Sequence, residues 1–451
     1  MLHKRRAGHR EQTDIDRIIN PNLQGIVGSG MGLLIISTCQ KEDMMRALLA
    51  AFLVVSSFLA TSHAGATIKI GFAHVFSGPM ATFGEVARQG VELAVKEINS
   101  TGGIKGQTIE VFYADTAAKP DVGVKAIQKL VTEDQVDIVI GLVSSAVAVA
   151  ATPLMQELRC PLIVTHAMAE EVTGSKCNPW VFRITWNLDQ CFKASAALAN
   201  SLGAKKWAAL GPDYGFGQDS WKYFQKYLSA LGTFSFEKGE FVPMATSDWK
   251  PIIKKLENSG ADGIMTSLWG NNLRDFLRQA QEEQFFAKRQ VLCVVGGSVE
   301  IFTALGFLDM PQGVWFGTPY WYESFENPYN DKFVESYKSL SSSRIPPSYA
   351  AYQSYAAVKM LKGAIEKAGS SERAAIAKAL SGLTVTDLPV GSTTFRAGDH
   401  QAIFDLSFGR TSGRIAKGFK RIRGLDPIRI FVGQEVSPPV SETGCSMTPL
   451  N

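Results

Sequence analysis

Six short loops hold the residues of this chain best suited to act on a small molecule. They read His74-Val75-Phe76-Ser77-Gly78-Pro79, Leu142-Val143-Ser144-Ser145, His166-Ala167-Met168, Gly211-Pro212-Asp213-Tyr214-Gly215, Leu268-Trp269-Gly270 and Gly296-Gly297-Ser298. They are rich in glycine, hydroxyls and aromatic rings, a set that grips a compound through backbone amides, a few hydroxyls and ring faces. They are poor in groups that break bonds. The nucleophile elbow G-x-S-x-G is not matched by Gly141-Leu142-Val143-Ser144-Ser145. No GxxxxGK[ST] loop is present to wrap a triphosphate, and Gly215-Phe216-Gly217 lacks the third glycine of a dinucleotide site. His74, His166 and His400 are far apart in sequence and none lies in HExxH, so each reads first as a hydrogen-bonded scaffold residue. The chain is therefore expected to bind rather than to catalyse, with no cofactor and no metal.

These loops need a scaffold that delivers them to one edge. From Thr67 onward, short β-rich runs alternate with longer segments of helical period, the mark of βα units around parallel sheets. Strands are expected at Ile68–Ala73, Thr108–Ala114, Asp137–Ile140, Leu162–Thr165, Trp207–Leu210, Gly263–Ser267 and Val291–Val295. Between the first two, Val86, Leu93, Ala94 and Ile98 share one helical face within Val86–Asn99, and Gly102-Gly103 stops that helix. Each quoted loop follows one of these strands. In parallel sheets ligands collect at that edge, beside helix N-termini that favour negative groups.

The whole chain has 451 residues, 45% hydrophobic and 20% charged, enough for two or three domains with cores of their own. Its 46 Lys and Arg against 42 Asp and Glu leave +4 without long like-charge runs, so no nucleic-acid partner is expected. Six cysteines with no CxxC pair exclude a disulfide scaffold and a zinc cluster. Ala47–Ala60 is apolar but too short to cross a bilayer. Preceded by Arg46 and followed by Ala64-Gly65-Ala66, it reads as a secretory signal peptide at residues 44–66 rather than as a buried core helix. Residues 1–43 are then a non-native extension, with Met44 or Met45 as the true start, or an extension of another purpose. The exported body is expected in the periplasm.

A resemblance covers nearly all of that body. Ile68-Lys69-Ile70-Gly71, Ser77-Gly78-Pro79, Glu97-Ile98-Asn99 and Gly102-Gly103-Ile104-Lys105-Gly106 open it. Val139-Ile140-Gly141 with Ser144-Ser145, Phe182-Arg183, Asp213-Tyr214-Gly215, Leu277-Arg278-Gln279-Ala280, Tyr352 to Ala357 and Asp399-His400-Gln401 continue it in order. Together they resemble the leucine/isoleucine/valine-type periplasmic solute-binding proteins. The resemblance implies an α/β fold of two α/β sandwich lobes with mostly parallel sheets, joined by three crossing segments, the type I periplasmic binding fold. The N-terminal lobe would comprise 67–185 and 320–395, and the C-terminal lobe 186–319 and 396–451. It implies a monomer that traps a small-molecule solute between its lobes and delivers it to the permease subunits of an inner-membrane ABC importer. A ligand-sensing module of the same fold, acting in signalling, is the alternative.

Carried over residue by residue, the resemblance points to Phe83, Ser144, Ser145, His166, Ala167, Tyr214, Trp269 and Gly296 as the ligand-binding set. Ser145 stands where a family serine holds the solute carboxylate, or it serves only to cap its helix. Ala167 stands where backbone atoms are offered to the solute. Ala169 replaces a family threonine, and Gly296 falls where a glutamate binds the solute ammonium, so a simple branched-chain amino acid is not expected. Asp115 or Asp213 could replace that glutamate, or could fix turns. Phe83, Tyr214 and Trp269 would form aromatic walls, unless Trp269 covers the core and Tyr214 only shapes its turn. The expected solute is a small organic acid or amide with an apolar or aromatic body. In an oxidising compartment Cys177 and Cys191 are close enough in sequence to pair, whereas Cys160 and Cys293, beside apolar runs, are expected as buried thiols.

Overall fold

A computed structural model describes residues 67–340 and 345–450, so the expected signal peptide, the extension and Cys39 lie outside the described residues. The first body opens with β1 (Ile68–His74), α1 (Ala81–Ser100), β2 (Ile109–Asp115), α2 (Pro120–Thr132), β3 (Ile138–Gly141), α3 (Ser145–Leu158), β4 (Leu162–Val164) and β5 (Val181–Arg183). Its strands are all parallel in the order β2-β1-β3-β4-β5, with Ile68 beside Ile109 and Ile70 beside Ile138. β3 and β4 are buried along their whole length, as a sheet covered on both faces requires. Gly102 and Gly103 take positive φ at the exit of α1, in line with their role as its stop.

After β5 the chain crosses to a second sheet. There it forms α4 (Leu188–Asn200), β6 (Lys206–Pro212), α5 (Gly215–Ser229), β7 (Ser235–Phe236), β8 (Glu240–Val242), α6 (Lys250–Asn258), β9 (Gly263–Thr266), α7 (Gly270–Glu282), β10 (Gln290–Cys293), α8 (Val299–Asp309) and β11 (Trp315–Thr318). It crosses back with α9 (Pro328–Leu340), α10 (Tyr349–Ala368), α11 (Arg373–Leu380), β12 (Thr384–Leu388), β13 (Gly391–Phe395) and β14 (Ala402–Ile403). α10 packs along α1. Their contact is close enough that a Cβ on Gly90 would lie 2.0 Å from the Ala351 carbonyl oxygen, so only glycine fits there.

A third crossing leads into β15 (Leu406–Ile415), β16 (Arg423–Phe431) and the short α12 (Gly433–Val436). The second sheet runs β16-β15-β11-β10-β9-β6-β7, with β8 also on β6. Its β6 to β11 pairings are parallel, and β15 and β16 join antiparallel. The molecule is thus an α/β protein of two mostly parallel sheets with three connections between them. β12, β13 and β14 form a separate small antiparallel sheet, and residues 396–403 stay with the first body: β14 pairs with β13, and Gln401 bridges Arg183 of β5.

Where the strands cross over, a fully buried Arg183 donates from Nε to Gln401 Oε1 at 2.6 Å, from Nη1 to the Ala169 carbonyl and from Nη2 to Thr173 Oγ1. Gln401 Nε2 donates in turn to the Thr185 carbonyl and to Gln190 Oε1. Asn187 and Gln190 form a capping box on α4, and Glu170 from the first body accepts from Asn187 Nδ2 and the Asp189 N–H. The helix that opens the second body therefore has its first turn held by an acid from the first. Burial raises the Glu170 pKa to about 7, against the opposing pull of Arg183.

The cysteine expectation is corrected here. Cys177 is bonded to Cys445, 268 residues away, with Cα atoms 5.6 Å apart. Cys191 lies on the buried face of α4 with no exposure and directs its thiol to the Val294 carbonyl. The C-terminal tail returns to the first body after α12, which no local spacing announces. Cys160 and Cys293 are free and buried, as expected.

Candidate functional site

The exits of β1 and β4 bring together four rings. The His74 Nε2 and His166 Nδ1 atoms are 3.2 Å apart, and Phe83 from the first turn of α1 stacks near His74 at 5.9 Å and meets His166 edge-on at 5.2 Å. Tyr349, which opens α10, lies 5.6 Å from Phe83 and 6.2 Å from His166. The tautomers follow from the acceptors. His166 Nε2 can only donate to the Ala350 carbonyl at 3.2 Å, so its Nδ1 carries a lone pair that receives from Thr165 Oγ1 and His74 Nε2. His166 is thereby a fully bonded wall of the site.

Both histidines are held neutral. Burial lowers the His74 pKa to about 3 and that of His166 well below its usual value, the latter aided by His74 itself. A folded pKa below the unfolded one, about 6.5, gives stability that is complete above pH 6.5 and is lost as pH falls toward 3. A His74→Phe variant is therefore expected to make the unfolding free energy fall less steeply between pH 6 and 4, by about 1.4 kcal/mol per pH unit. Urea titrations across that range check it, and an unchanged slope would show that His74 takes up its proton while folded.

Ser144 and Ser145 sit where β3 gives way to α3. Ser144 is the residue flanking the helix and Ser145 its first member, and neither side chain caps it. Instead Ser145 Oγ accepts the Ala169 N–H at 3.3 Å, which leaves its own proton to give. The first bond within α3 is from Ala148 to the Ser144 carbonyl, so the N–H groups of Ser145, Ala146 and Val147 have no partner inside the helix. Such a helix end favours a negative group. The preceding turn bends through Gly141 at φ 139° and Leu142 at φ 69°, an uncommon conformation for leucine. The Leu142 carbonyl accepts the N–H groups of both His166 and Ala167. Ala167 is buried and its N–H is thus committed, so only its carbonyl remains to offer.

In the second body Trp269 and Tyr214 flank α7 and α5 at the exits of β9 and β6. Trp269 Nε1 donates to Tyr214 Oη at 3.0 Å. Tyr214 also shapes its turn, since its carbonyl accepts from Gly217 and Gln218, yet it remains 42% exposed. The pair makes an aromatic rim. Among the described residues no ring or hydrogen-bond contact joins this rim to Phe83 or His166.

Gly296 has no room for a side chain. A Cβ there would lie 2.5 Å from Leu273 Cδ2 and 3.0 Å from Cys293 Cβ, so the position faces the core of the second body. Asp115 does not supply the missing acid either. Burial favours its neutral form, but the N–H groups of Phe76 and Ala117 and the neighbouring Ser77 outweigh that and lower its pKa while fixing the turn after β1. Asp213 is exposed beside Tyr214.

The acid that the loop readings missed is Glu300. It stands in the first turn of α8, just past the Gly296-Gly297-Ser298 loop where those readings stop. Both carboxylate oxygens are sealed from solvent, with its own N–H and the hydroxyls of Ser298 and Ser348 as neighbours. Burial raises its pKa, opposed by its own N–H and by the hydroxyls of Ser348 and Ser298. Its charge reaches Tyr349, whose pKa rises through burial first and Glu300 second. Ser348 and Tyr349 stand at the start of α10, so Glu300 lies near that end of the helix.

Known proteins resemble this arrangement in sequence and in fold. A family model described as periplasmic binding protein matches residues 67–417. The leucine-, isoleucine-, valine-, threonine-, and alanine-binding protein of Pseudomonas aeruginosa is 28% identical over 349 residues, covering 77% of this chain and 90% of that protein. The structure of an amino acid ABC transporter substrate-binding protein from Pseudomonas fluorescens superimposes with a TM-score of 0.76 at 23% identity, covering 85% of this chain and 100% of its own. A solute-binding protein of an ABC transporter from R. palustris, in complex with 4-hydroxybenzoate, does so with a TM-score of 0.69 at 24% identity, covering 81% and 97%. With the family model matching residues 67–417, which hold the first sheet and the second as far as β15, this chain belongs to the periplasmic binding proteins of the leucine/isoleucine/valine-binding type.

Proposed function

We propose that the body from Thr67 onward is the exported substrate-binding component of an ABC importer, which captures one small organic solute between two lobes and releases it unaltered to the permease subunits. The lobes are 67–185 with 320–403, and 186–319 with the chain from β15 to α12, the tail beyond α12 returning to the first. The protein acts as a periplasmic monomer once residues 44–66 have been removed. The solute has a carboxylate or amide end and an apolar or aromatic body. Its polar end sits on Ser145 and the free N–H groups of α3, its body lies against Phe83, and Tyr214 and Trp269 close over it from the other lobe.

The observation that carries this reading is the open end of α3 beside the Phe83, His166 and Tyr349 rings. A donor-rich helix terminus next to an apolar wall suits an amphipathic anion and offers nothing to cleave it. Closure would convert binding into a population shift that an importer can sense.

The test is a thermal-shift screen of residues 67–451 with branched-chain and aromatic amino acids, amides, urea, and aromatic and aliphatic carboxylates. A solute at a hundred times its Kd adds about 2.7 kcal/mol of stability. Ser145→Ala is expected to keep the fold and lose most of that gain. Equal stabilisation of the variant would remove Ser145 from the site.

A further inference from the structure

We propose that the turn between β15 and β16 is a membrane-contact patch by which the body from Thr67 onward rests on an anionic bilayer surface. Lys417, Lys420 and Arg421 meet the lipid headgroups, and Leu308 and Ile415 enter the layer behind them. The patch stands apart from the solute site and needs no particular solute.

Positive charge is concentrated in this one hairpin. Residues 406–431 carry seven basic side chains against one acidic, whereas the rest of 67–451 carries 32 against 36. Not all seven are available. Arg414 holds Glu323 through two hydrogen bonds of 2.6 and 3.2 Å, and Arg423 is buried with its guanidinium on the carbonyls of Ser412 and Phe307. Arg410 donates to the Gly313 carbonyl and Arg429 to Ser201 Oγ. Lys417, Lys420 and Arg421 are exposed and in no ion pair among the described residues.

The turn that bears these three is fixed from behind. Tyr322 Oη donates to the Lys417 carbonyl, Glu323 accepts the Lys417 N–H at 2.7 Å, and Phe419 packs on Tyr322 beneath the Lys338 ammonium. Two aliphatic side chains adjoin the cations. Leu308 is 84% exposed and Ile415 50%. Ile415 stands opposite Arg423 in the ladder and Arg423 grips the carbonyl of Phe307, the neighbour of Leu308, so both lie at the turn end of the hairpin. Of the acids nearby, Glu323 and Glu335 are taken by Arg414 and Lys338. Asp309, exposed and next to Leu308 in the chain, offsets part of the charge.

Charges on an edge strand discourage pairing with another chain. That role does not account for this group, because the three cations lie past the last ladder pair, Ile415 with Arg423, where no edge is left to guard. A surface that serves only solubility does not set an open leucine and isoleucine among its lysines. A protein partner fits less well than lipid: protein interfaces are depleted in lysine and lean on Trp, Tyr and Arg, and none of these five residues is aromatic. Lysine and arginine beside aliphatic side chains suit the headgroup region, where charge draws the patch to anionic lipid and apolar atoms enter behind it. Such a contact would hold the body at the membrane in which an importer sits.

The experiment sediments residues 67–451 with vesicles of equal parts phosphatidylglycerol and phosphatidylcholine, and with phosphatidylcholine alone, at low and at high salt. Two variants accompany wild type: Lys417→Gln with Lys420→Gln and Arg421→Gln, and Leu308→Ser with Ile415→Thr, each shown folded by its melting curve. Wild type is expected on the anionic vesicles only and to be released by high salt. Each cation near an anionic surface strengthens binding about fivefold, so the charge variant should bind about a hundredfold more weakly. The apolar variant should bind several-fold more weakly at unchanged charge. Wild type that ignores anionic vesicles at low salt overturns the proposal and leaves an acidic protein surface as the occupant to test. A charge variant that sediments like wild type overturns it as well, placing the lipid contact elsewhere. An apolar variant that binds like wild type removes Leu308 and Ile415 from the contact.

Discussion

Replacing Arg183 by methionine is expected to destabilise the protein by about 3–5 kcal/mol, the usual result of breaking a buried charged network from one side. The guanidinium has no exposure and donates to Gln401, Thr173 and the Ala169 carbonyl. Methionine fills much of the volume but leaves those three acceptors without their donor. It also removes the positive charge that offsets burial of Glu170, whose carboxylate holds the start of α4. The loss should appear in urea denaturation as a lower midpoint. A change under 1 kcal/mol would mean that Gln401 and Thr173 re-pair without the arginine.

Removing the Cys177–Cys445 bond is expected to have a similar effect. In the chain-entropy description a loop closed across 268 residues contributes up to about 5.6 kcal/mol, and native disulfides commonly deliver about 2–5. The bond ties the C-terminal tail to the first body, where Val440 packs against Gly398. The paired variant Cys177→Ser with Cys445→Ser should therefore unfold at distinctly lower urea under non-reducing conditions. Under strong reductant, wild type should fall to the level of the variant. If the variant matches oxidised wild type, the tail contributes nothing through this bond.

The parts of the architecture with strong local signals were legible before any coordinates. Every strand expected between Ile68 and Val295 is present with ends within a residue or two, because buried parallel strands are unbroken apolar runs bounded by glycine and polar turns. The later strands were harder to see. β15 and β16 join antiparallel at the edge of their sheet, and beyond their buried starts they mix exposed residues such as Arg410, Arg414 and Asp426 into the run. β5, only Val-Phe-Arg, is too short for a period and holds its arginine inside through partners far away in sequence.

The site divided along the same line. Loops that follow strands could be named from sequence, and Phe83 and His166 do meet there. What those loops do with their atoms could not be. The commitment of the Ala167 N–H depends on the carbonyl of Leu142, and the fate of Gly296 depends on Leu273 from a neighbouring helix. Glu300 was overlooked for a related reason. A glutamate in a helical first turn looks ordinary in sequence, and nothing beside it along the chain announces that its oxygens are buried or that Ser348, 48 residues on, lies near them. Cys445 was missed because the pairing expectation weighed distance along the chain rather than the path of the tail.

The central claim is that two lobes close around an intact guest. Its most direct measurement is X-ray scattering of stripped residues 67–451 before and after adding the best-stabilising compound from the thermal screen, with mass analysis of that compound after release. The account predicts a smaller radius of gyration with the compound bound and recovery of the compound unchanged. A radius that stays the same at saturation, or a compound recovered in altered form, would contradict it.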